Sequence, residues 1–431
     1  MQKVCVLGLG YVGLTLAVVL AERGFQVVGV EVSQPLAEAI NQGDPHFHED
    51  GLKGTLNRTL GLTLKVTTQV PQEPQDAYII AVGTPITKDG RNPILDYLVR
   101  ATQSILPHLR DETLVVVRST VPVGCTRGVV LPLLQSTGRR VSVAYCPERT
   151  AEGVALRELR ELPQVIGGLD EESVRKAQEL FRKITPIIMQ VSSLEAAEAI
   201  KLFNNAYRDL TFAFANQMAI AWGELGLDPV ELTQAANFGY PRSHIPVPGF
   251  VGGTCLDKDP FLLLHSVRDG SSIPTLVRLS REINSSLPLY IKEKLEAKLK
   301  EAGKSLHGAK VLISGLAFKG NPETDDLRAS PALDFLELLR PYTNEVRGHD
   351  FVVSREAISA AGMEPCDLEQ GFRGADAAVI MNNHRLYQRL EISHYLSLMD
   401  RPAVFIDGWH IFEPLVVKSV EGIHYGGIGI G

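Results

Sequence analysis

The segment that most restricts the fold is Gly8-Leu9-Gly10-Tyr11-Val12-Gly13. It stands between a short apolar run, Lys3-Val-Cys-Val-Leu7, and a stretch compatible with helix, Leu14 to Arg23. A strand, a turn with glycine at its first, third and sixth positions, and a helix are the parts of a parallel βαβ unit. The glycines allow a tight turn and let a pyrophosphate come close to the helix N-terminus, whose free N–H groups and dipole attract an anion. A second apolar run, Gln26-Val-Val-Gly-Val30, ends at Glu31, eighteen residues after Gly13. A carboxylate there accepts hydrogen bonds from a ribose diol and repels a 2′-phosphate, so the pattern predicts NAD rather than NADP. Gly8, Gly10, Tyr11, Val12, Gly13 and Glu31 are therefore cofactor-binding candidates.

The alternation continues. Ala77 to Val82 reads as a buried strand ending in Gly83-Thr84-Pro85, Thr113 to Val117 as another ending in Arg118-Ser119-Thr120, and Val141 to Tyr145 as a third. Open α/β sheets place ligand contacts at strand ends, which makes Thr84, Ser119 and Thr120 candidates, although a hydroxyl there also serves as a simple cap. The third strand leads to Glu148 and Glu152, suited to acid/base or water-positioning work, or else an ordinary solvated pair. From Leu194 the sequence is compatible with one helix and meets no glycine until Gly223. Lys201 and Asn205 share a face of it, and composition alone would leave Lys201 at the surface. A second α/β block begins with Ala309 to Ser314 and continues through Ala377 to Met381 and Ala403 to Ile406. It has no GxGxxG after its first strand, so a second dinucleotide is not expected; Lys319 and Arg328 near that strand's end suit a phosphate. The closing Gly426-Gly-Ile-Gly-Ile-Gly431 carries no readable chemistry.

One loop, Pro248-Gly249-Phe250-Val251-Gly252-Gly253-Thr254-Cys255-Leu256-Asp257-Lys258-Asp259-Pro260, combines a cysteine, glycines before it and a lysine–aspartate pair behind it. Glycines bring backbone close to a ligand, and a cation beside a thiol favours the nucleophilic thiolate; a glycine-rich turn ending in a structural cysteine is the plainer alternative. The chain has 431 residues, which suggests two or three domains. Its five cysteines are odd in number and widely spread, fitting reduced thiols in the cytoplasm. A formal charge of −7 with no basic block argues against nucleic acid. No apolar run near the N-terminus is long enough to cross a bilayer, and no cysteine–histidine spacing suggests a metal; His46-Phe47-His48 reads as loop.

These motifs, in this order, resemble the UDP-glucose/GDP-mannose dehydrogenase family over nearly the whole chain. The residues that carry the resemblance are Gly8 to Leu14, Ser119-Thr-Val-Pro-Val-Gly124, Pro147-Glu148 with Glu152-Gly153, Ala197-Glu-Ala-Ile-Lys201 with Asn205, Gly249-Phe250 through Cys255 to Asp259, and Gly315-Leu-Ala-Phe-Lys319 with Asp325-Asp-Leu-Arg328. Pro147-Glu-Arg149 and Asn205-Ala-Tyr-Arg-Asp209 are similar to the N-acetylhexosamine branch. Cys255-Leu-Asp-Lys258-Asp259 looks closer to the UDP-glucose branch, and two residues more than the commonest spacing separate Lys319 from Arg328.

The resemblance implies two Rossmann-like α/β domains with parallel sheets joined by a long central helix. The expected division is an NAD-binding domain over 1–190, a helical dimerisation region with the cysteine over 191–300, and a UDP-binding domain over 301–431. It implies four-electron oxidation of a UDP-N-acetylhexosamine at C6 through a thioester on Cys255, without a metal. Lys201, Asn205 and Asp259 would stabilise oxyanions or hold water, and Glu148, Thr120 and Glu152 would serve hydrolysis. Lys258 and Arg328 join the cofactor contacts. Arg149, Lys201, Asn205, Arg242, Gly249, Phe250, Gly252 and Lys319 join the substrate contacts, with Arg242 reaching across a homodimer. The alternatives are UDP-glucose or GDP-mannose as substrate, a two-electron hydroxyacid dehydrogenase, and a binder of NAD and nucleotide sugar without turnover.

Overall fold

The computed structural model describes residues 1–87, 92–267 and 275–431. The chain forms two compact units. One holds Met1–Asn205 and the segment that starts at Lys258; the other holds Ala206–Asp257 and the C-terminal part. The divisions fall inside two helices, Leu194–Glu224 and Thr254–Ser266.

The first unit is built on strands β1 (Lys3–Leu7), β2 (Gln26–Val30), β3 (Leu64–Thr67), β4 (Ala77–Ile80), β5 (Leu114–Val117), β6 (Ser142–Tyr145), β7 (Gln164–Gly168) and β8 (Ile188–Gln190). They lie in the order β3-β2-β1-β4-β5-β6-β7-β8. All pairs are parallel except β6 with β7. Strands β4, β5 and β6 are buried along their whole length, which is why they read as continuous apolar runs rather than alternating ones. The chain leaves β1 toward β2 on one side and later enters β4 on the other, so the switch point of the sheet lies between β1 and β4, at the end of β1 where the glycine turn sits.

Helix Tyr11–Glu22 follows that turn with nine consecutive buried residues from Gly13 to Ala21. Gly8 has φ +85°, and a Cβ on Gly13 would stand 1.7 Å from the Gly8 carbonyl oxygen, so the helix can meet the strand this closely only without a side chain. Strand β7 escapes a pattern reading because Gly167 and Gly168 dilute its apolar run. A Cβ on Gly167 would stand 2.1 Å from the Ser193 carbonyl, just before helix Leu194–Glu224 begins.

The second unit holds β9 (Val311–Ser314), β10 (Val346–His349), β11 (Glu364–Pro365), β12 (Ala377–Ile380), β13 (Ala403–Asp407) and β14 (Ile423–Gly427). Their order, β11-β10-β9-β12-β13-β14, repeats that of the first six strands of the other unit, and every pair is parallel. The two doubly wound sheets and the 31-residue helix Leu194–Glu224 agree with the expected architecture. The C-terminal glycines have a packing role that their sequence does not announce. A Cβ on Gly429 would stand 2.0 Å from the Ala219 carbonyl, one on Gly223 would stand 2.4 Å from the Gly429 carbonyl, and Lys294 Nζ donates to the Ile430 carbonyl at 2.8 Å. Among the described residues no helix is long and apolar enough to cross a membrane.

Candidate active site

At the end of β1, Gly10 caps helix Tyr11–Glu22 without a side-chain acceptor, and no acidic residue stands in the first turn. Nothing lies within 4 Å of where a Gly10 Cβ would be. The N-terminus of this helix and the open backbone at Gly10 fit the pyrophosphate of NAD. Glu31, at the end of β2, accepts from Leu9 N–H at 3.1 Å and Ser33 N–H at 3.0 Å. These bonds aim the carboxylate and leave lone pairs for a ribose diol. Tyr11 stacks on Phe47 with centroids 4.0 Å apart, and His46 packs edge-on to the same ring. Thr84 Oγ1 donates to the Thr120 carbonyl, and Ser119 Oγ donates to the Ile80 carbonyl at 3.3 Å. Both hydroxyls thus tie strand ends together and can still accept.

Glu148 is buried, not solvated. Arg118, itself 2% exposed, donates from Nε at 3.1 Å and Nη2 at 2.5 Å to Glu148 Oε2. Its Nη1 donates to the Cys146 carbonyl at 3.1 Å and to Gln164 Oε1 at 3.0 Å. Glu148 Oε1 accepts from Arg149 N–H at 2.8 Å and Thr150 N–H at 2.9 Å. Burial pushes the Glu148 carboxyl up, but the Arg118 charge, the Thr150 N–H and the nearby Lys201 together hold it below the ordinary value of 4.5. It is therefore an anion with both oxygens engaged. The loop beyond it is met in the same way: Ala151 N–H donates to Glu158 at 2.7 Å, and Gly153 N–H to the buried Glu49 at 2.7 Å. Arg149 donates from its guanidinium to the Pro163 carbonyl.

Lys201 and Asn205 project from helix Leu194–Glu224, 7% and 6% exposed. Burial of Lys201 contradicts the surface reading that composition favours. Its Nζ makes no hydrogen bond or ion pair among the described residues, although its charge acts on Glu148. Asp259, fully buried, accepts from Asn205 Nδ2 at 2.6 Å on one oxygen and from Lys258 Nζ at 2.7 Å on the other. The partners of Asp259 are thus Lys258 and Asn205, not Lys201.

In the second unit Cys255 lies in the first turn of helix Thr254–Ser266, which corrects the reading of the segment as loop throughout. The glycines end the loop and the helix starts at Thr254. Asn216 clamps the loop: its Nδ2 donates to the Gly249 carbonyl at 3.0 Å, and Gly249 N–H donates back to Oδ1 at 2.8 Å. A Cβ on Gly249 would meet the Trp409 ring at 2.4 Å, one on Gly252 would meet Pro331 at 2.5 Å, and Phe250 packs where Gly408 has no side chain. Of the five cysteines Cys255 alone is exposed. Burial pushes Cys5, Cys125 and Cys146 up to about 12 and Cys366 up to about 11. Lys319 lies over the Phe318 ring at 5.5 Å, and Arg328 forks onto Asp326 with Nη2 at 2.7 Å. Arg242 is exposed and stacks over Tyr240, 4.4 Å from its centroid.

A glycine turn at a switch point, a carboxylate at the end of the neighbouring strand and a repeated strand order define a dinucleotide-dependent α/β protein. Residues 2–185 match the NAD binding domain of the UDP-glucose/GDP-mannose dehydrogenase family, residues 195–286 its central domain, and residues 312–414 its UDP binding domain. The chain is 35% identical over 435 residues to a UDP-N-acetyl-D-mannosamine dehydrogenase of Pyrococcus horikoshii, covering 99% of this chain and 100% of that one. The solved structure of UDP-D-ManNAc dehydrogenase from that organism superposes with a TM-score of 0.90 at 33% identity over 99% of each chain. An NDP-N-acetyl-D-galactosaminuronic acid dehydrogenase of Ralstonia nicotianae is 34% identical over 92% of this chain and 94% of its own. A UDP-glucose dehydrogenase from Pyrobaculum islandicum superposes at 0.86 with 29% identity, over 100% of this chain and 98% of its own. The chain belongs to the UDP-glucose/GDP-mannose dehydrogenase family. It is an NAD-dependent nucleotide-sugar dehydrogenase, an oxidoreductase.

Pattern reasoning passes over the contacts of Arg118, Gln164, Glu49 and Asn216. Arg118 had one signal, a cation directly after the four-residue apolar strand β5. Arg118→Met should destabilise the chain by about 3–5 kcal/mol at pH 7, since it leaves the Glu148 charge buried without its partner. The Glu148 carboxyl is depressed when folded, so its contribution in the wild type is complete above pH 4.5 and fades as pH falls below it. In the variant, protonation of Glu148 relieves the penalty. The gap between the two proteins in urea denaturation should therefore narrow toward pH 4, and a gap that stays constant with pH would contradict this electrostatic account.

Proposed function

We propose that the chain oxidises the C6 alcohol of a UDP-N-acetylhexosamine, UDP-N-acetylmannosamine or UDP-N-acetylglucosamine, to the carboxylate. The observation that carries the reading is Cys255: the one exposed thiol among five, at the head of a helix whose next turn holds Lys258 and Asp259. NAD⁺, when bound, supplies the hydride acceptor. Over the whole reaction an alcohol and a water become a carboxylate, two hydrides and three protons. Between the two oxidations the Cys255 sulfur adds to the aldehyde carbon, forming a C–S bond and a thiohemiacetal that cannot diffuse away. The second oxidation leaves a thioester, and water attacks its carbonyl and breaks the C–S bond. The unpaired, buried Lys201 ammonium stabilises the oxyanion of each tetrahedral species, with Asn205 beside it and Asp259 fixing the Asn205 amide.

Glu148, with its carboxylate fixed by Arg118 and two backbone N–H groups, positions the hydrolytic water. Thr120 and Glu152 order water nearby. Lys258 and Arg328 complete the NAD contacts. Arg149, Arg242, Gly249, Phe250, Gly252 and Lys319 recognise the nucleotide sugar, and residues 1–190, 191–300 and 301–431 divide the work between NAD, the thiol with the dimer surface, and UDP. The protein acts as a cytoplasmic homodimer. Supporting the dimer, Phe203, Tyr207 and Phe214 are 67%, 55% and 52% exposed at helical spacing on Leu194–Glu224, a stripe of rings of the kind interfaces cover. Supporting the compartment, none of the five cysteines forms a disulfide. The N-acetyl assignment rests on the Pro147-Glu-Arg149 and Tyr207-Arg-Asp209 resemblance and on the named activities of the N-acetylhexosamine relatives. UDP-glucose is the second reading, on the likeness to the Pyrobaculum structure.

NADH release with UDP-glucose, UDP-N-acetylglucosamine, UDP-N-acetylmannosamine, UDP-N-acetylgalactosamine and GDP-mannose in parallel tests the assignment. Two NADH per sugar are expected, with an N-acetylhexosamine preferred about ten- to hundredfold, since a 2-hydroxyl would leave buried amide partners unmatched. Highest kcat/KM with UDP-glucose or GDP-mannose would reject the N-acetyl assignment; one NADH per sugar would reject the four-electron reaction. Replacing NAD⁺ with NADP⁺ should lower kcat/KM at least about tenfold, because a 2′-phosphate would face the Glu31 carboxylate. Equal values would remove Glu31 from cofactor choice.

A further inference from the structure

Pro260 lies inside helix Thr254–Ser266. A proline has no N–H, so the carbonyl four residues earlier loses its helical donor. That carbonyl belongs to Leu256, the residue next to Cys255. Arg281, on helix Thr275–Glu301, supplies a donor in its place: its Nη1 reaches the Leu256 carbonyl at 2.9 Å. The same nitrogen donates to Asp209 Oδ1 at 2.6 Å, and Arg281 Nε donates to Ser285 Oγ at 3.2 Å. Asn284 Nδ2 donates to Asp209 Oδ1 at 2.8 Å and to the Asp209 carbonyl at 2.9 Å. Arg281 is 4% exposed and Asp209 0%. A guanidinium desolvated this far destabilises a fold unless its donors are met, and a carboxylate alone would meet only part of the fork. The Leu256 carbonyl needs a donor, and the cation needs a second acceptor.

We infer that Arg281 is a positioning residue for the thiol. It stands in for the peptide N–H that Pro260 cannot offer, Asp209 holds it there, and together they fix the helical turn that carries Cys255. The inference rests on the reading of Cys255 as the nucleophile for its catalytic consequence, but not for the geometry. It gives Asp209, part of the Asn205-Ala-Tyr-Arg-Asp209 motif, a task at the thiol's helix rather than at the sugar.

The test compares wild type with Asp209→Asn/Arg281→Met, which leaves no buried charge unpaired, and with the same double variant carrying Pro260→Ala, which gives the Leu256 carbonyl a helical N–H. Hydrogen exchange of the 250–260 segment is measured without substrate, and kcat with the best sugar. Loss of one hydrogen bond to a charged donor should speed exchange of this turn and lower kcat about tenfold, with KM for NAD⁺ unchanged. Pro260→Ala should restore protection and kcat together. Wild-type protection or wild-type kcat in the double variant overturns the inference, and so does a triple variant no better than the double. If the double variant does not fold, recovery of folding on adding Pro260→Ala supports the inference and continued failure overturns it. Normal turnover by Cys255→Ser would instead overturn the nucleophile reading, leaving the exchange result to judge Arg281.

Discussion

Three buried carboxylates of the first unit, Glu148, Asp259 and Glu198, each find donors for both oxygens, and the loops around them are arranged to supply those donors. Glu148 meets Arg118 on one oxygen and two backbone N–H groups on the other. Asp259 meets Lys258 and Asn205. Glu198 accepts from Gly124 N–H at 2.6 Å and Thr126 N–H at 2.8 Å, fastening the Ser119–Gly124 segment to helix Leu194–Glu224. Unpaired polar groups are costly away from water, so each of these carboxylates pins the segments that supply its donors. Against that background Lys201 stands out as a buried cation whose Nζ has no hydrogen-bond partner among the described residues.

The two sheets share a strand order but differ at their first turn. In the first, Glu31 accepts from Leu9 N–H and leaves the N-terminus of helix Tyr11–Glu22 open. In the second, Asp350 follows β10 as Glu31 follows β2, and it accepts from both Leu316 N–H at 2.7 Å and Ala317 N–H at 3.1 Å. Gly315 there stands against Asn382, which would meet its Cβ at 2.7 Å. The backbone donors that a pyrophosphate would use are thus taken by side chains of the protein itself. One topology therefore supports a dinucleotide in one unit and a different recognition problem in the other.

How much was legible follows from what each feature depends on. The glycine turn, Glu31 and the long helix depend on short-range pattern and stand where the sequence places them. Strands β3, β7, β8, β10, β11 and β14 were not legible, since edge positions and glycines such as Gly167, Gly168, Gly426 and Gly427 weaken the apolar period. The burial of Lys201 and Glu148, the pairing of Arg118 with Glu148, and the service of Arg281 to Leu256 join residues 30 or 25 positions apart across different elements. No local period encodes such a contact. Gly429 was silent for the same reason, because its partners are the backbone of Ala219 and Gly223.

The central claim is that a single thiol carries the sugar between two oxidations and releases it to water ordered by Glu148. Intact-protein mass spectrometry of folded Glu148→Gln during turnover tests this most directly, because that variant keeps Cys255 while removing the carboxylate that would order the attacking water. The account predicts a mass increase equal to the nucleotide-sugar acyl group, located on Cys255 and absent when Cys255→Ser is added. Unmodified protein while NADH is being formed would contradict it.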